Sequence, residues 1–260
     1  MPARKLPAAL VPLLDRPARS GLFCDFDGTM AEIVLDPGAA EPVGGAVEAL
    51  VDLAGRFGRV GVLSGRPLAF LEQFFPSSSL LLAGLYGLEW SEHGERHDHP
   101  QAGAWREVID DVAACADGRG PKGMRVEPKG LSITLHYREH PDLGPAVERW
   151  AGEQAARSGL VARTARMSVE LHPPIDADKG TALLAAADGL ETVAYLGDDV
   201  GDLAAFDALD RLAETGVRVI KVAVASDEVD GELTERADLV VPGPTEVVRL
   251  LTLLDRRTAA

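Results

Sequence analysis

Two carboxylates two residues apart, Asp25 and Asp27, close the apolar run Leu22-Phe23-Cys24 and are followed by Gly28 and Thr29. An apolar run bounded this way reads as a buried parallel strand, with Asp25 at its carboxyl end and Gly28 bending the chain away. Ligands bind at that edge of an open α/β sheet. Two carboxylates placed there divide the work: one attacks or holds a cation, and the other moves protons. A second apolar run ends in Ser64-Gly65-Arg66-Pro67. Its hydroxyl, the glycine amide and the start of the helix that follows make an anion site, to which Arg66 adds a guanidinium fork. A third run ends in Gly197-Asp198-Asp199-Val200-Gly201-Asp202. Three carboxylates beside a strand end are costly unless a hard cation neutralises them, and oxygen-only ligands favour Mg2+.

Periodicity supplies the elements that position these groups. Apolar strands are read at 59–63, 80–86, 193–196, 218–224 and 239–241, and helices at 41–57, 67–75, 179–187, 203–213 and 245–254. The pattern changes between them. A helix at 103–116 precedes 131–138, where Leu131, Ile133, Leu135 and Tyr137 alternate with Ser132, Thr134, His136 and Arg138. That is the signature of a half-buried antiparallel strand. A helix at 142–157 and a second hairpin at 161–172, in which Ser168, Glu170 and His172 share a face, complete a helix-hairpin-helix-hairpin layer of α+β type. Glu127 and Lys129, two apart, add to its polar face. The connector 173–178 is stiffened by Pro173 and Pro174. His93, His97 and His99 fall in a polar hairpin and lack metal-ligand spacing.

With 260 residues the chain is long enough for two domains. Its 26 basic and 41 acidic side chains give a formal charge of −15, which repels nucleic acid and anionic lipid alike. The same field opposes a phosphorylated metabolite, so a phosphate site needs local cations or a metal. Cys24 and Cys115 stand in unlike contexts, which argues against a disulfide and for a reducing, cytoplasmic compartment. Cys24 reads as a small buried hydrophobe. Arg4 and Lys5 precede an apolar stretch at 6–14, but Pro7 and Pro12 interrupt it and Asp15 ends it, so neither a signal peptide nor a membrane span is expected.

Taken in order, Asp25 with Asp27, Ser64, Lys179, and Asp198 with Asp199 and Asp202 resemble the four motifs of the haloacid dehalogenase (HAD) superfamily of aspartyl-phosphate phosphatases. The resemblance implies an α/β fold, a Rossmann-like parallel-sheet HAD core at 1–100 and 176–260 with an inserted α+β cap of C2 type at 101–175. It implies that Asp25 is the nucleophile and Asp27 the general acid and base, with Lys179 completing the catalytic set. Ser64, Gly65, Arg66 and Lys179 would bind the phosphate, and Asp25, the Asp27 carbonyl and Asp198 would hold Mg2+. Asp199 and Asp202 would orient metal waters and Lys179.

Nearly the whole chain resembles, more narrowly, the trehalose-6-phosphate phosphatase family. That family's cap contributes a Glu-x-Lys pair, a Ser, a His-Tyr-Arg run and a later Glu, matched here by Glu127 and Lys129, Ser132, His136-Tyr137-Arg138 and Glu170. The resemblance assigns the sugar to Glu127, Lys129, Arg138 and Glu170. It implies a small sugar phosphate as the partner, acted on by a monomer without nucleic acid or membrane. The chain departs from the family where Met30-Ala31-Glu32-Ile33 replaces Leu-x-Pro-Ile, and where Gly84-Leu85-Tyr86-Gly87-Leu88-Glu89 replaces Gly-x-His-Gly-x-Glu. A phosphatase for another phosphosugar or a glycosyl-phosphoglycerate would keep the four motifs and change the cap face. A non-catalytic sugar-phosphate binder would have lost Asp25 or Asp27, and both are present.

Overall fold

In the computed structural model, which describes residues 5–34, 36–165, 167–225 and 231–258, the run before Asp25 forms β1 (Ser20–Cys24), buried along its whole length. Arg4 lies outside the described residues. The chain continues through α1 (Ala46–Ala54), β2 (Arg59–Leu63), α2 (Leu68–Leu71), β3 (Leu81–Gly84) and a hairpin of β4 (Glu89–Glu92) and β5 (Glu95–Asp98). Next come α3 (Arg106–Arg119), β6 (Arg125–Pro128), β7 (Ile133–His136), α4 (Gly144–Ser158), β8 (Val161–Ala165) and β9 (Ser168–His172). The last part holds α5 (Lys179–Ala186), β10 (Thr192–Gly197), α6 (Leu203–Glu214), β11 (Arg218–Ala225), α7 (Gly231–Arg236), β12 (Leu239–Pro242) and α8 (Gly243–Thr258).

These elements divide into two units, one of Met1–His97 with Ala177–Ala260 and the other of Asp98–Asp176. The larger is an α/β, Rossmann-like layer built on a sheet of order β12-β11-β10-β1-β2-β3-β4-β5. Pairing is parallel from β12 to β3 and turns antiparallel at β3 and β4. Alternation along β1 feeds two apolar clusters. Leu22 and Cys24 join residues of α1 and α8 in one, and Phe23 joins Leu183 of α5 and Phe206 of α6 in the other. Helices on both faces explain why the parallel strands read as continuous apolar runs. In the smaller unit a sheet of order β6-β7-β9-β8 shares one apolar cluster with Ile109 and Val112 of α3 and Val147 and Ala151 of α4. Among the described residues no helix is long and apolar enough to cross a membrane.

Several element ends differ from the sequence reading for backbone reasons. The apolar pattern at 41–57 yields only Ala46–Ala54, because Gly45 sits in the left-handed region at φ 87° and blocks earlier helix. The stretch at 67–75 keeps a single short helix, Leu68–Leu71. The strand read at 80–86 stops at Gly84, since Leu85, Tyr86 and Gly87 turn left-handed. The polar side chains Ser132 and Thr134, expected on an open face around β7, are buried. The short helix α7 was not read from the sequence.

One side chain anchors the carboxyl edge of β1. Phe26, between the two aspartates, is fully buried and contacts Phe70, Phe74 and Phe75 at ring-centroid distances of 5.6, 6.3 and 6.0 Å. Replacing Phe26 by Ala should cost about 3–5 kcal/mol, the usual loss for a buried aromatic ring. Urea unfolding monitored by circular dichroism measures it, and a loss below about 1 kcal/mol would mean that this ring cluster does not hold the edge.

Candidate active site

Three strand ends and the start of one helix supply the groups here. Asp25 follows β1, its amide donating to the Leu196 carbonyl at 2.9 Å, so pairing with β10 fixes where the side chain starts. Ser64 follows β2, and Asp198 and Asp199 follow β10. Lys179 opens α5, whose first turn is held by a reciprocal cap: the Asp178 carboxylate accepts from the Thr181 amide at 2.7 Å, and the Thr181 hydroxyl accepts from the Asp178 amide at 2.9 Å. Such a box satisfies two amides that would otherwise lack partners, and it fixes the residue between them.

The Lys179 ammonium lies 2.7 Å from Asp25 Oδ1 and 2.7 Å from Asp202 Oδ1, with all three groups buried. Asp202 also accepts from the Tyr195 hydroxyl at 2.6 Å and from the amides of Asp198 and Asp199 at 2.9 and 3.1 Å. Asp198 accepts from the Thr29 hydroxyl at 3.3 Å. Gly28, at φ 80°, lies so close to Asp198 that a Cβ there would stand 1.9 Å from Oδ2. Only glycine lets the first loop approach this carboxylate.

Electrostatics in this cluster are unbalanced. Burial, only partly offset by Lys179, raises the Asp25 carboxyl well above the usual range, and its three acidic neighbours raise it further. Burial, then Asp202 and Asp199, pushes Asp198 up to about 7. Burial works against the Lys179 charge, but Asp202 and Asp25 outweigh it and the ammonium titrates well above its ordinary value. One lysine thus faces several carboxylates. Oxygens of Asp25, Asp198 and Asp202 lie within 4.8 Å of one another, and among the described residues this is the group with metal-ligating geometry. An all-oxygen, buried, like-charged donor set fits a hard divalent cation. Asp202 commits its oxygens to Lys179, Tyr195 and two amides, so Asp25 and Asp198 are the carboxylates of this group that could hold such a cation. The histidines of the β4–β5 hairpin take no part, and His97 stacks on Trp90 with centroids 5.4 Å apart.

Asp27 stands apart from this cluster. Arg66 grips it bidentately, Nε to Oδ2 at 2.7 Å and Nη2 to Oδ1 at 2.6 Å, while the guanidinium lies 4.7 Å from the Phe70 ring centroid. Ser64, buried, accepts from the Arg66 amide at 3.1 Å. Arg66 therefore enters the site as partner to Asp27, an ion pair across two loops that sequence spacing does not reveal. Cys24 is buried beside Asp25, and burial raises its thiol far above the ordinary range, which leaves it unreactive.

In the smaller unit, register builds a row across the sheet: Glu127 opposite Thr134, Thr134 opposite Glu170, Glu170 opposite Arg163. The Glu127 carboxylate contacts His136 Nε2 at 2.5 Å, and Ser132 donates to Glu170 at 2.7 Å. The Thr134 hydroxyl is buried without a partner. Lys129 falls just past β6, in the turn to β7. Arg138 lies beyond β7 in an exposed turn and does not join the Glu127–Glu170 row. Sequence reasoning passed over Tyr195 and named Thr29 and Thr134 without giving either a partner. A tyrosine inside the apolar run at 193–196 was the available signal for the first.

The family model described as trehalose-phosphatase matches residues 23–239. The trehalose-phosphate phosphatase of Mycobacterium ulcerans is 37% identical over 243 residues, covering 88% of this chain and 60% of that one. The Mycobacterium tuberculosis protein of the same name is 34% identical over 253 residues, covering 91% of this chain and 61% of its own length. The chain thus spans about three fifths of the curated relatives it matches. Among solved structures, the C-terminal domain of C. albicans trehalose-6-phosphate phosphatase aligns with a TM-score of 0.75 over 98% of each chain at 24% identity. A trehalose-6-phosphate phosphatase related protein aligns at 0.76, with 22% identity, over 91% of this chain and 97% of that one. At these identities the structural likeness speaks to the fold alone.

The raised Asp198 carboxyl has a consequence for stability. A group whose folded pKa lies above its unfolded value of about 4 stabilises the fold fully below that value, and the contribution is lost as pH rises through about 7. In chelator, the melting temperature should therefore fall between about pH 4 and 7, and excess Mg2+ should restore it most strongly at the upper end. Scanning calorimetry across that range tests this, and a metal-free melting temperature indifferent to pH would contradict the proposed charge crowding.

Proposed function

The chain belongs to the trehalose-phosphatase family, and from that premise we propose that it is a Mg2+-dependent phosphatase that hydrolyses trehalose 6-phosphate through an aspartyl-phosphate on Asp25. The observation that carries phosphoryl transfer is the buried Lys179 ammonium at 2.7 Å from Asp25, beside Asp198 and Asp202. Asp25, fixed by Lys179 through one oxygen, attacks phosphorus in line with the other, and the bond from phosphorus to the sugar oxygen breaks. Asp27, with one oxygen out of the Arg66 fork and carrying a proton taken from solvent, passes that proton to the leaving sugar oxygen, then accepts one from the water that cleaves the Asp25–phosphate bond. For that exchange one Asp27 oxygen must leave the Arg66 fork, and the incoming phosphate supplies the competing anion for the guanidinium. Ser64, the Gly65 amide and Lys179 hold phosphoryl oxygens while charge shifts. Asp25, Asp198 and the Asp27 carbonyl would hold Mg2+, which when bound offsets the repulsion between anionic nucleophile and phosphate. Asp202 and Asp199 keep Lys179 and the ligands in place.

Glu127, Lys129, Arg138 and Glu170 are assigned the sugar. Support comes from the Glu127–Thr134–Glu170 row, where carboxylates flank a buried hydroxyl without a partner. Several sugar hydroxyls would hydrogen-bond to such a row, and a substrate lacking them would leave the Thr134 hydroxyl without a partner.

Asp25→Asn should fold and release no phosphate from any monoester, and a folded Asp25→Asn protein with full turnover would end the nucleophile assignment. Dialysis against chelator should abolish turnover, with Mg2+ restoring it; undiminished release without divalent ions would count against the metal.

Glu170→Ala tests the sugar assignment. Losing hydrogen bonds to a charged partner at about 1.5–3 kcal/mol should lower kcat/KM for trehalose 6-phosphate at least about tenfold. Hydrolysis of p-nitrophenyl phosphate, which has no sugar hydroxyls, should barely change, and equal loss on both substrates would assign Glu170 to the fold instead. A panel of other sugar phosphates, run with the unmodified chain, tests the choice of trehalose 6-phosphate.

A further inference from the structure

β2 and β3 lie side by side with Leu63 opposite Ala83, so the turns that follow them meet at the carboxyl edge. After β3, three successive residues sit in the left-handed region, Leu85 at φ 47°, Tyr86 at φ 60° and Gly87 at φ 93°. Glycine takes that conformation freely, but leucine and tyrosine do so against a steric penalty from Cβ. Strain of this kind persists only where surrounding contacts overdetermine it. Here the Leu85 amide donates to the Arg66 carbonyl and the Tyr86 amide to the Ser64 carbonyl, each at 2.9 Å. Glu89 Oε1 accepts from the Leu68 amide at 2.5 Å, tying the next segment to the same loop.

Leu85 is fully buried, but packing of the apolar core does not account for Tyr86. Tyr86 is half-buried and belongs to neither apolar cluster of the larger unit. Its ring lies against Gly65 instead: a Cβ built at Gly65 would stand 2.6 Å from both Cζ and Oη of Tyr86. The ring fills the place a side chain would take and backs the peptide between Ser64 and Arg66. We infer that Tyr86 is a positioning residue for the anion-binding loop, held by the strained turn so that the Gly65 amide and Ser64 hydroxyl stay fixed when a phosphoryl group arrives. This inference rests on the phosphatase reading. Tyr86 acts through Gly65 and does not touch the reacting atoms.

The experiment compares Tyr86→Ala, Tyr86→Phe, Gly65→Ala and the double variant Gly65→Ala/Tyr86→Ala, using Mg2+-supported hydrolysis of p-nitrophenyl phosphate and its competitive inhibition by inorganic phosphate. Loosening the loop in Tyr86→Ala should raise KM and the phosphate inhibition constant together, about tenfold, with a smaller change in kcat. Tyr86→Phe keeps the ring and should behave as the unmodified chain. Gly65→Ala should be the most impaired single variant, and the double variant should recover to the level of Tyr86→Ala, because the ring is what the new Cβ meets. Should Tyr86→Ala not fold, Tyr86→Asn replaces it in both backgrounds, since Asn tolerates the left-handed region.

Unchanged phosphate inhibition without the ring, equal impairment in Tyr86→Phe, or no recovery in the double variant would overturn the inference while leaving the phosphatase reading intact. An unmodified chain that releases no phosphate would overturn that reading, and the inference with it.

Discussion

A buried ammonium shared equally between two carboxylates is the interaction on which the rest of this structure depends. Lys179 comes from the first turn of α5, Asp25 from the end of β1 and Asp202 from the turn after β10, so three distant stretches of chain meet at one charge. Removing one partner of a buried pair leaves the other uncompensated, at a typical cost of 3–5 kcal/mol. The surroundings meet that demand with neutral donors. A tyrosine hydroxyl and two backbone amides complete Asp202, and the reciprocal cap of α5 keeps Lys179 from swinging away.

The same interaction leaves a charge deficit, and the deficit accounts for much of the local architecture. One lysine cannot balance Asp25, Asp198 and Asp202, so burial and its acidic neighbours raise the Asp198 carboxyl to about 7. Asp27 escapes the crowding because Arg66 takes both its oxygens. The edge of the sheet thus separates into an acidic pocket suited to a cation and a basic loop suited to an anion, two residues of β1's extension apart. A phosphate ester bound to a metal requires both.

Much of this was legible in the sequence. Strands covered on both faces present unbroken apolar runs, so β1, β2, β10 and β11 could be placed within a residue or two, and the polar residues ending those runs marked the edge. What stayed hidden was non-local. The partnership of Arg66 with Asp27, the reach of Tyr195 to Asp202 and the alignment of Glu127, Thr134 and Glu170 depend on how separate segments register, which no single stretch of chain encodes. Backbone conformation was hidden for a different reason. Leucine and tyrosine at positive φ contradict local preference, so the turn that ends β3 could not be read from residue types.

The place of β1 in the sheet also bears on how the chain is made. β1 sits between β2 and β10, and Ser20 at its start pairs with Thr192. A growing chain therefore carries an apolar strand with one edge unsatisfied until the last third has been synthesised, while the contiguous segment Asp98–Asp176 can complete its own sheet earlier. Closing so long a loop is entropically costly and slow, and an open strand edge is a site for pairing with the wrong chain. Asp25 takes its place only when Leu196 arrives to accept its amide. Placement of Asp25 is thus a late event of folding, and truncated or stalled chains would be aggregation-prone before this edge of the sheet could form.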